Sequence, residues 1–164
     1  MNSKKRFRWI RIIAVLAIIV SSFLVYQHYK ITPSKFCKFG ESFDCGIVNK
    51  SPYSTIDGIL YFLHFDLGFS SVPLFELEIP VSAIGILIFL LIIAMSYKIE
   101  KNRPFLGLKP KKQIKIMKSL MALSIVFALY LVYIEAFVLL FYCIYCLILD
   151  ALILTEAILI KDLK

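Results

Sequence analysis

Phe141-Tyr142-Cys143-Ile144-Tyr145-Cys146-Leu147 is a CxxC set into an otherwise apolar run near the end of a 164-residue chain. Read as α-helix, positions i and i+3 share a face with Cα atoms roughly 5 Å apart, inside the span of about 4.4–6.8 Å that a disulfide accepts. Such a pair can open and close with little backbone movement. Two more cysteines, Cys37 and Cys45, stand far upstream in a polar segment. The working expectation is that the chain brings the two pairs together.

The surroundings of the motif set the class. The chain is 60% hydrophobic with a mean hydropathy of +0.84, whereas soluble domains hold about 45–50% apolar residues. It reads as an all-α integral membrane protein of one domain. Lys4, Lys5, Arg6, Arg8 and Arg11 precede an uncharged run from Ile12 to Tyr26. A span over residues 9–29 covers about 30 Å at 1.5 Å per residue, enough to cross a bilayer. A cleaved signal peptide would have a shorter apolar run and a small-x-small site, and Phe23-Leu24-Val25-Tyr26-Gln27-His28 supplies none. Further spans are predicted at 79–97, opened by Pro80, at 116–134 and at 137–160. The polar stretch 30–78 is punctuated by Pro33, Gly40, Gly46, Pro52, Gly58, Gly68 and Pro73. Within it, 54–69 has the spacing of a short amphipathic helix, with Ser54 as its cap. The prediction is a four-helix bundle with this loop and short helix between its first two spans.

Charge placement orients the bundle. Fifteen of the nineteen Lys and Arg fall before the first span, around the 98–115 connection or after the fourth span. By the positive-inside rule those segments face the cytoplasm, so both termini are cytoplasmic and the 30–78 loop is extracytoplasmic. The net charge of +8 then reports topology and calls for no nucleic-acid partner. On this reading Cys143 lies about six residues into the fourth helix, roughly 9 Å deep. Both cysteine pairs belong to the outer side.

Several chemistries use four such cysteines. A loop disulfide between Cys37 and Cys45 suits an oxidising compartment. Cys143 and Cys146 as small apolar packing residues are another reading. A Cys₄ zinc site normally pairs two short spacings, and here one pair is separated by seven residues and the other is sunk in hydrocarbon, so no metal is predicted. The outer position of the CxxC favours a relay, because the pair can exchange with the loop cysteines above and a lipid-soluble oxidant beside it.

The ordered motifs resemble the prokaryotic branch of the vitamin K epoxide reductase family. They are Cys37, Cys45, the Ser-Pro-Tyr at 51–53, Ile-Pro-Val-Ser-Ala-Ile-Gly at 79–85, Tyr-Ile-Glu-Ala-Phe-Val at 133–138 and the CxxC itself. The resemblance implies a multi-pass cell-membrane thiol oxidase. It reoxidises a thioredoxin-fold partner on the extracytoplasmic side and passes electrons to a quinone, supporting disulfide formation in exported proteins. Carried over by position, Cys37 and Cys45 form the shuttle pair. Cys37 meets the partner, and Cys45 exchanges with Cys143. Cys146 lies next to the quinone, while Ser51 donates to it and Tyr53 lines its pocket. Many relatives carry a fused thioredoxin-like domain, and the sequence stops at Lys164, so the partner is expected to be a separate protein. Asp150, four residues past Cys146, is an acid the resemblance does not supply. It reads either as a group tuning proton release from the quinone or as one paired with another helix. Glu135 either seats the outer loop or caps the last helix. A reductase of vitamin K epoxide, and a membrane protein with a structural disulfide, are the alternative functions.

Overall fold

The structure, a computed structural model, describes residues 3–30, 38–39, 42–56 and 79–163. Helix α1 covers Ser3–Tyr29, and a two-residue hairpin follows, with β1 (Lys38–Phe39) antiparallel to β2 (Phe43–Asp44). A single-turn helix α2 (Cys45–Asn49) and a 3₁₀ turn (Pro52–Ser54) complete the described part of the loop. Helices α3 (Val81–Glu100), α4 (Pro110–Tyr133) and α5 (Ile144–Lys161) finish the chain. The all-α membrane architecture is therefore present. Of the predicted amphipathic helix, Ser54 closes the 3₁₀ turn and Ile56 is helical, and residues 57–69 lie outside the described residues.

Two boundaries differ from the sequence reading. Helix α4 begins at Pro110, well before residue 116, because lysines end a membrane span without ending a helix. Proline at the first helical position suits that start, since its missing N–H would have no partner there. The fourth helix begins at Ile144 and not at residue 137. After Tyr133 the chain widens into a π-helix, Ile134–Leu139, and Leu140 turns left-handed at φ 58°. The CxxC consequently straddles the start of α5, and Cys143 is not buried six residues inside it.

Packing follows from small residues. Helix α1 packs chiefly against α3 and α5, while α4 closes the ring against α5 and, less extensively, α3. Ala14, Ala17 and Ser21 are fully buried on α1, and a Cβ on Gly85 would sit 3.5 Å from the Ser21 hydroxyl. Stripped-down side chains let two backbones approach, which is how helices associate where lipid removes the hydrophobic drive. Ile10, Phe89, Ile92, Met95, Met117, Met121 and Ile160 fill the remaining interior. Ile19, Leu87, Leu123, Val126 and Ile158 stay exposed on the outside, as a lipid-facing surface requires. Segments 4–29, 81–100 and 110–139 are long and apolar enough to cross a membrane. Helix α5 carries Asp150, Glu156 and Lys161, and turns Glu156 wholly inward.

The basic end of the bundle is laced by side chains. Arg6 donates to the Asp162 carbonyl at 2.8 Å and Lys118 to the Leu163 carbonyl at 2.9 Å, while Arg11 pairs with Glu100. At the opposite end α2 is pinned to α1: Asn49 Nδ2 donates to the Leu24 carbonyl at 2.7 Å, and His28 Nδ1 donates to the Asn49 carbonyl at 2.6 Å. The Ile56 N–H reaches the Ile79 carbonyl at 3.2 Å, tying the loop to the entry of α3.

These two ends differ in energetic weight. Asn49→Ala removes the side-chain bond that fastens α2 to α1 and is expected to cost about 0.5–1.5 kcal/mol. Arg11→Ala breaks a partly exposed ion pair and should cost less than about 1 kcal/mol. Unfolding of the detergent-solubilised protein measures both.

Candidate functional site

Two backbone hydrogen bonds build the site. Tyr142 N donates to the Ser42 carbonyl at 2.9 Å, and Asp44 N donates to the Tyr142 carbonyl at 3.2 Å. Phe43 thereby bridges Tyr142 in parallel, with the two rings 5.7 Å apart. Asp44 then caps α2: its Oδ1 accepts from Gly46 N at 2.9 Å and from Ile47 N at 3.3 Å, the usual service of an aspartate at a helix start. Cys45 follows Asp44 and Cys143 follows Tyr142. The bridge therefore delivers the two cysteines to one place.

Both are fully buried, and their thiols are in hydrogen-bond contact. Cys143 is the N-cap of α5, in extended conformation, and its Sγ accepts the Cys146 N–H at 3.3 Å. The pair expected on one helix face is thus wrapped around a helix start, so a sulfur displaced at Cys143 faces an N–H donor. Leu24, Val48 and the half-buried Phe23, Tyr145 and Leu149 enclose the three sulfurs.

Glu135 completes the arrangement. The π-helix holds it buried, at 2% exposure. Its Oε2 accepts the Cys143 N–H at 3.0 Å, and its carboxyl lies within electrostatic reach of the Cys146 thiol. Of the two sequence readings for this residue, capping of the last helix is what its contact with Cys143 shows.

Cys146 also faces a cavity of about 270 Å³, near the lower end of the roughly 300–1,000 Å³ common for ligand pockets. Val81, Ser82, Gly85 and Ile88 of α3, Leu123, Ser124 and Phe127 of α4, and Leu149 and Asp150 of α5 form its walls, with Asn49 and Ser54 at the loop end. A ring-sized, mostly apolar molecule suits that volume. Asp150 therefore shares a cavity with Cys146. Ser51 and Tyr53 do not line it: Ser51 is buried and its Oγ donates to the Val48 carbonyl at 2.8 Å, and Tyr53 is half-buried. Sequence reasoning missed Asn49 and Ser54, which flank the same Ser-Pro-Tyr. Their signal was their polarity in a short turn, with nothing to show which side chains turn inward.

Cys37 lies outside the described residues. Among the described residues no group of three or more His, Cys, Asp or Glu is arranged to hold a metal.

A membrane helical bundle that sets a loop cysteine against a CxxC, with the second cysteine of that motif on an apolar cavity, has the parts of a membrane thiol–disulfide exchange protein. The chain belongs to the vitamin K epoxide reductase family, whose model matches residues 8–160. Members of that family are quinone-linked thiol oxidoreductases of the membrane. Among curated proteins no match is found.

The geometry makes a direct chemical prediction. In a chain carrying Cys37→Ala and Cys146→Ala, mild oxidation should join Cys45 to Cys143 intramolecularly and near completion, as read by mass spectrometry of the digested protein. Adding Asp44→Ala should slow that closure several-fold, since it removes a cap that contributes about 1 kcal/mol.

Proposed function

We propose that this protein is a quinone-dependent thiol oxidase that reoxidises a thioredoxin-fold partner on the extracytoplasmic side and so supports disulfide formation in exported proteins. The single observation that carries the reading is the line of sulfurs: Cys45 touches Cys143, Cys143 is bonded to the backbone of Cys146, and Cys146 opens onto the cavity. The 164 residues act as one membrane domain, with the basic segments cytoplasmic and the cysteine loop outside. That orientation rests on the charge distribution.

The steps balance as two-electron exchanges. A partner thiolate attacks the Cys37–Cys45 disulfide at Cys37, and the partner's second thiol then displaces Cys37, leaving the partner oxidised and the loop pair reduced. Pairing of Cys37 with Cys45 is supported by the hairpin, where the residue after Cys37 pairs with the residue before Cys45. The Cys45 thiolate attacks Cys143 of the Cys143–Cys146 disulfide and expels Cys146. Cys37 then attacks Cys45, restoring the loop disulfide and releasing Cys143. The reduced CxxC gives two electrons to the quinone, closing the Cys143–Cys146 bond, and two protons taken up through the site and from solvent complete the quinol. Asn49 and Ser54 supply polar contacts at the loop end of the cavity, and Asp150 holds a proton for a quinone oxygen on its wall. In this reading Ser51 orders the turn that presents Asn49 and Ser54, and Tyr53 supports it from behind.

Purified protein, a reduced thioredoxin-fold protein and a soluble quinone analogue should yield quinol. Cys146→Ala is expected to abolish it, and Asp150→Asn to slow it about tenfold or more, on the scale of lost general acid–base catalysis. Turnover with vitamin K epoxide alone, and with no quinone, would overturn the assignment. A Cys45→Ala variant should accumulate a mixed disulfide between Cys37 and the partner.

A further inference from the structure

The relay above leaves one proton without a carrier. When the Cys45 thiolate displaces Cys146 from Cys143, the leaving sulfur departs as an anion beside a largely apolar cavity. Thiol exchange depends strongly on how well the leaving thiolate is stabilised. The backbone N–H of Cys146 points at Cys143 and so is not free to serve its own sulfur.

One side chain is buried against the CxxC. Glu135 accepts the Cys143 N–H at 3.0 Å through Oε2 and lies within electrostatic reach of the Cys146 thiol. It is 2% exposed, held by an irregular π-turn and not by a regular helix. Single π-turns inside helical segments frequently mark functional positions. A carboxylate fixed only for capping needs one acceptor contact; burial within reach of a thiol that must gain and lose a proton in every cycle is surplus to that role.

Resting on the thiol oxidase reading, we propose that Glu135 is the proton carrier of the relay, shuttling a proton between its carboxyl and Cys146. In the forward exchange the Cys45–Cys143 bond forms and the Cys143–Cys146 bond breaks. The electron pair of the broken bond goes to Cys146, and the Glu135 carboxylic acid delivers its proton there, leaving a thiol and a carboxylate. When Cys146 next acts as a nucleophile, the carboxylate takes that proton back. Cys143 N–H remains bonded to the carboxyl throughout, which holds the acid at the sulfur in both states. The other titratable groups around Glu135 are Cys143 and Asp150 of α5, with Cys45 of α2 beside Cys143. Asp150 belongs to the cavity wall and faces the quinone side of Cys146.

Glutamine at this position separates the proposal from a capping role, because it keeps an oxygen for the Cys143 N–H and loses the exchangeable proton. The test needs no quinone. In a Cys37→Ala chain with Cys143–Cys146 oxidised beforehand, exchange with Cys45 frees Cys146, which N-ethylmaleimide traps for counting by mass spectrometry across pH. The expected rate first rises with pH as Cys45 ionises, then falls as Glu135 loses its proton. Glu135→Gln should slow the exchange at least about tenfold and erase the falling limb, while Glu135→Asp should restore part of both. Equal rates and an unchanged pH profile in Glu135→Gln, with Glu135→Leu alone impaired, would reduce Glu135 to a cap and sink the proposal. Each variant's unfolding temperature, compared with the parent's, shows that the chain is intact. Because this step is read without quinone, a failure to form quinol would count against the oxidase reading and leave the result for Glu135 standing.

Discussion

Everything at the redox centre depends on a pair of backbone hydrogen bonds, Tyr142 to Ser42 and Asp44 to Tyr142. They join segments distant in sequence, and neither involves a side chain. Because the bonds flank Phe43 and Tyr142, the residues that follow each, Asp44–Cys45 and Cys143, are carried into contact. Sulfur chemistry tolerates little error, since a disulfide requires Cα atoms within about 4.4–6.8 Å. A rigid main-chain bridge meets that demand better than a flexible side-chain contact. The caps on either side, Asp44 for α2 and Cys143 for α5, turn the same bridge into two helix starts aimed at one another.

The second constraint is the membrane itself. Polar groups at this depth must find partners within the protein, and the loop end of the bundle is organised around that need. Asn49 receives His28 and reaches Leu24. Ser54 donates to the Asn49 and Ser51 carbonyls, and Ser51 donates to Val48. The turn from 48 to 54 is closed upon itself and fastened to α1. It can border an apolar cavity and still offer polar groups to what enters.

Much of this was legible in the sequence. Four apolar segments, the basic clusters and the placement of Cys45 ahead of the CxxC were sufficient for the bundle and for the idea of exchange. The local geometry of Cys143 was not legible. Between Leu120 and Leu149 the sequence holds no glycine or proline and a single acid, so the turn was placed at Glu135. The chain instead turns at Leu140 in the left-handed region, a conformation unusual for leucine, and buries Glu135 under the CxxC. Hydrophobic periodicity carries no information about such a turn, because what stabilises it is the bridge to Ser42 and the carboxylate on Cys143 N–H, both tertiary. Which of Asn49, Ser51, Tyr53 and Ser54 face the cavity was not legible for a related reason. All four sit within one short turn, and only the fastening of that turn to α1 decides which side chains face inward.

The burial of Cys45 and Cys143, both without measurable exposure, amounts to electrical insulation. Small thiols and peroxides dissolved in water reach these sulfurs far more slowly than the sulfurs reach each other, so the middle of the circuit exchanges chiefly with its own neighbours. Cys143 is common to the Cys45–Cys143 and Cys143–Cys146 disulfides, and it can hold one at a time. In the proposed relay electrons therefore move as discrete pairs in a fixed sequence, with no short circuit between the cysteine loop and the cavity. Selectivity for the intended donor and acceptor is in this sense a property of the wiring, set before either terminal site makes any choice.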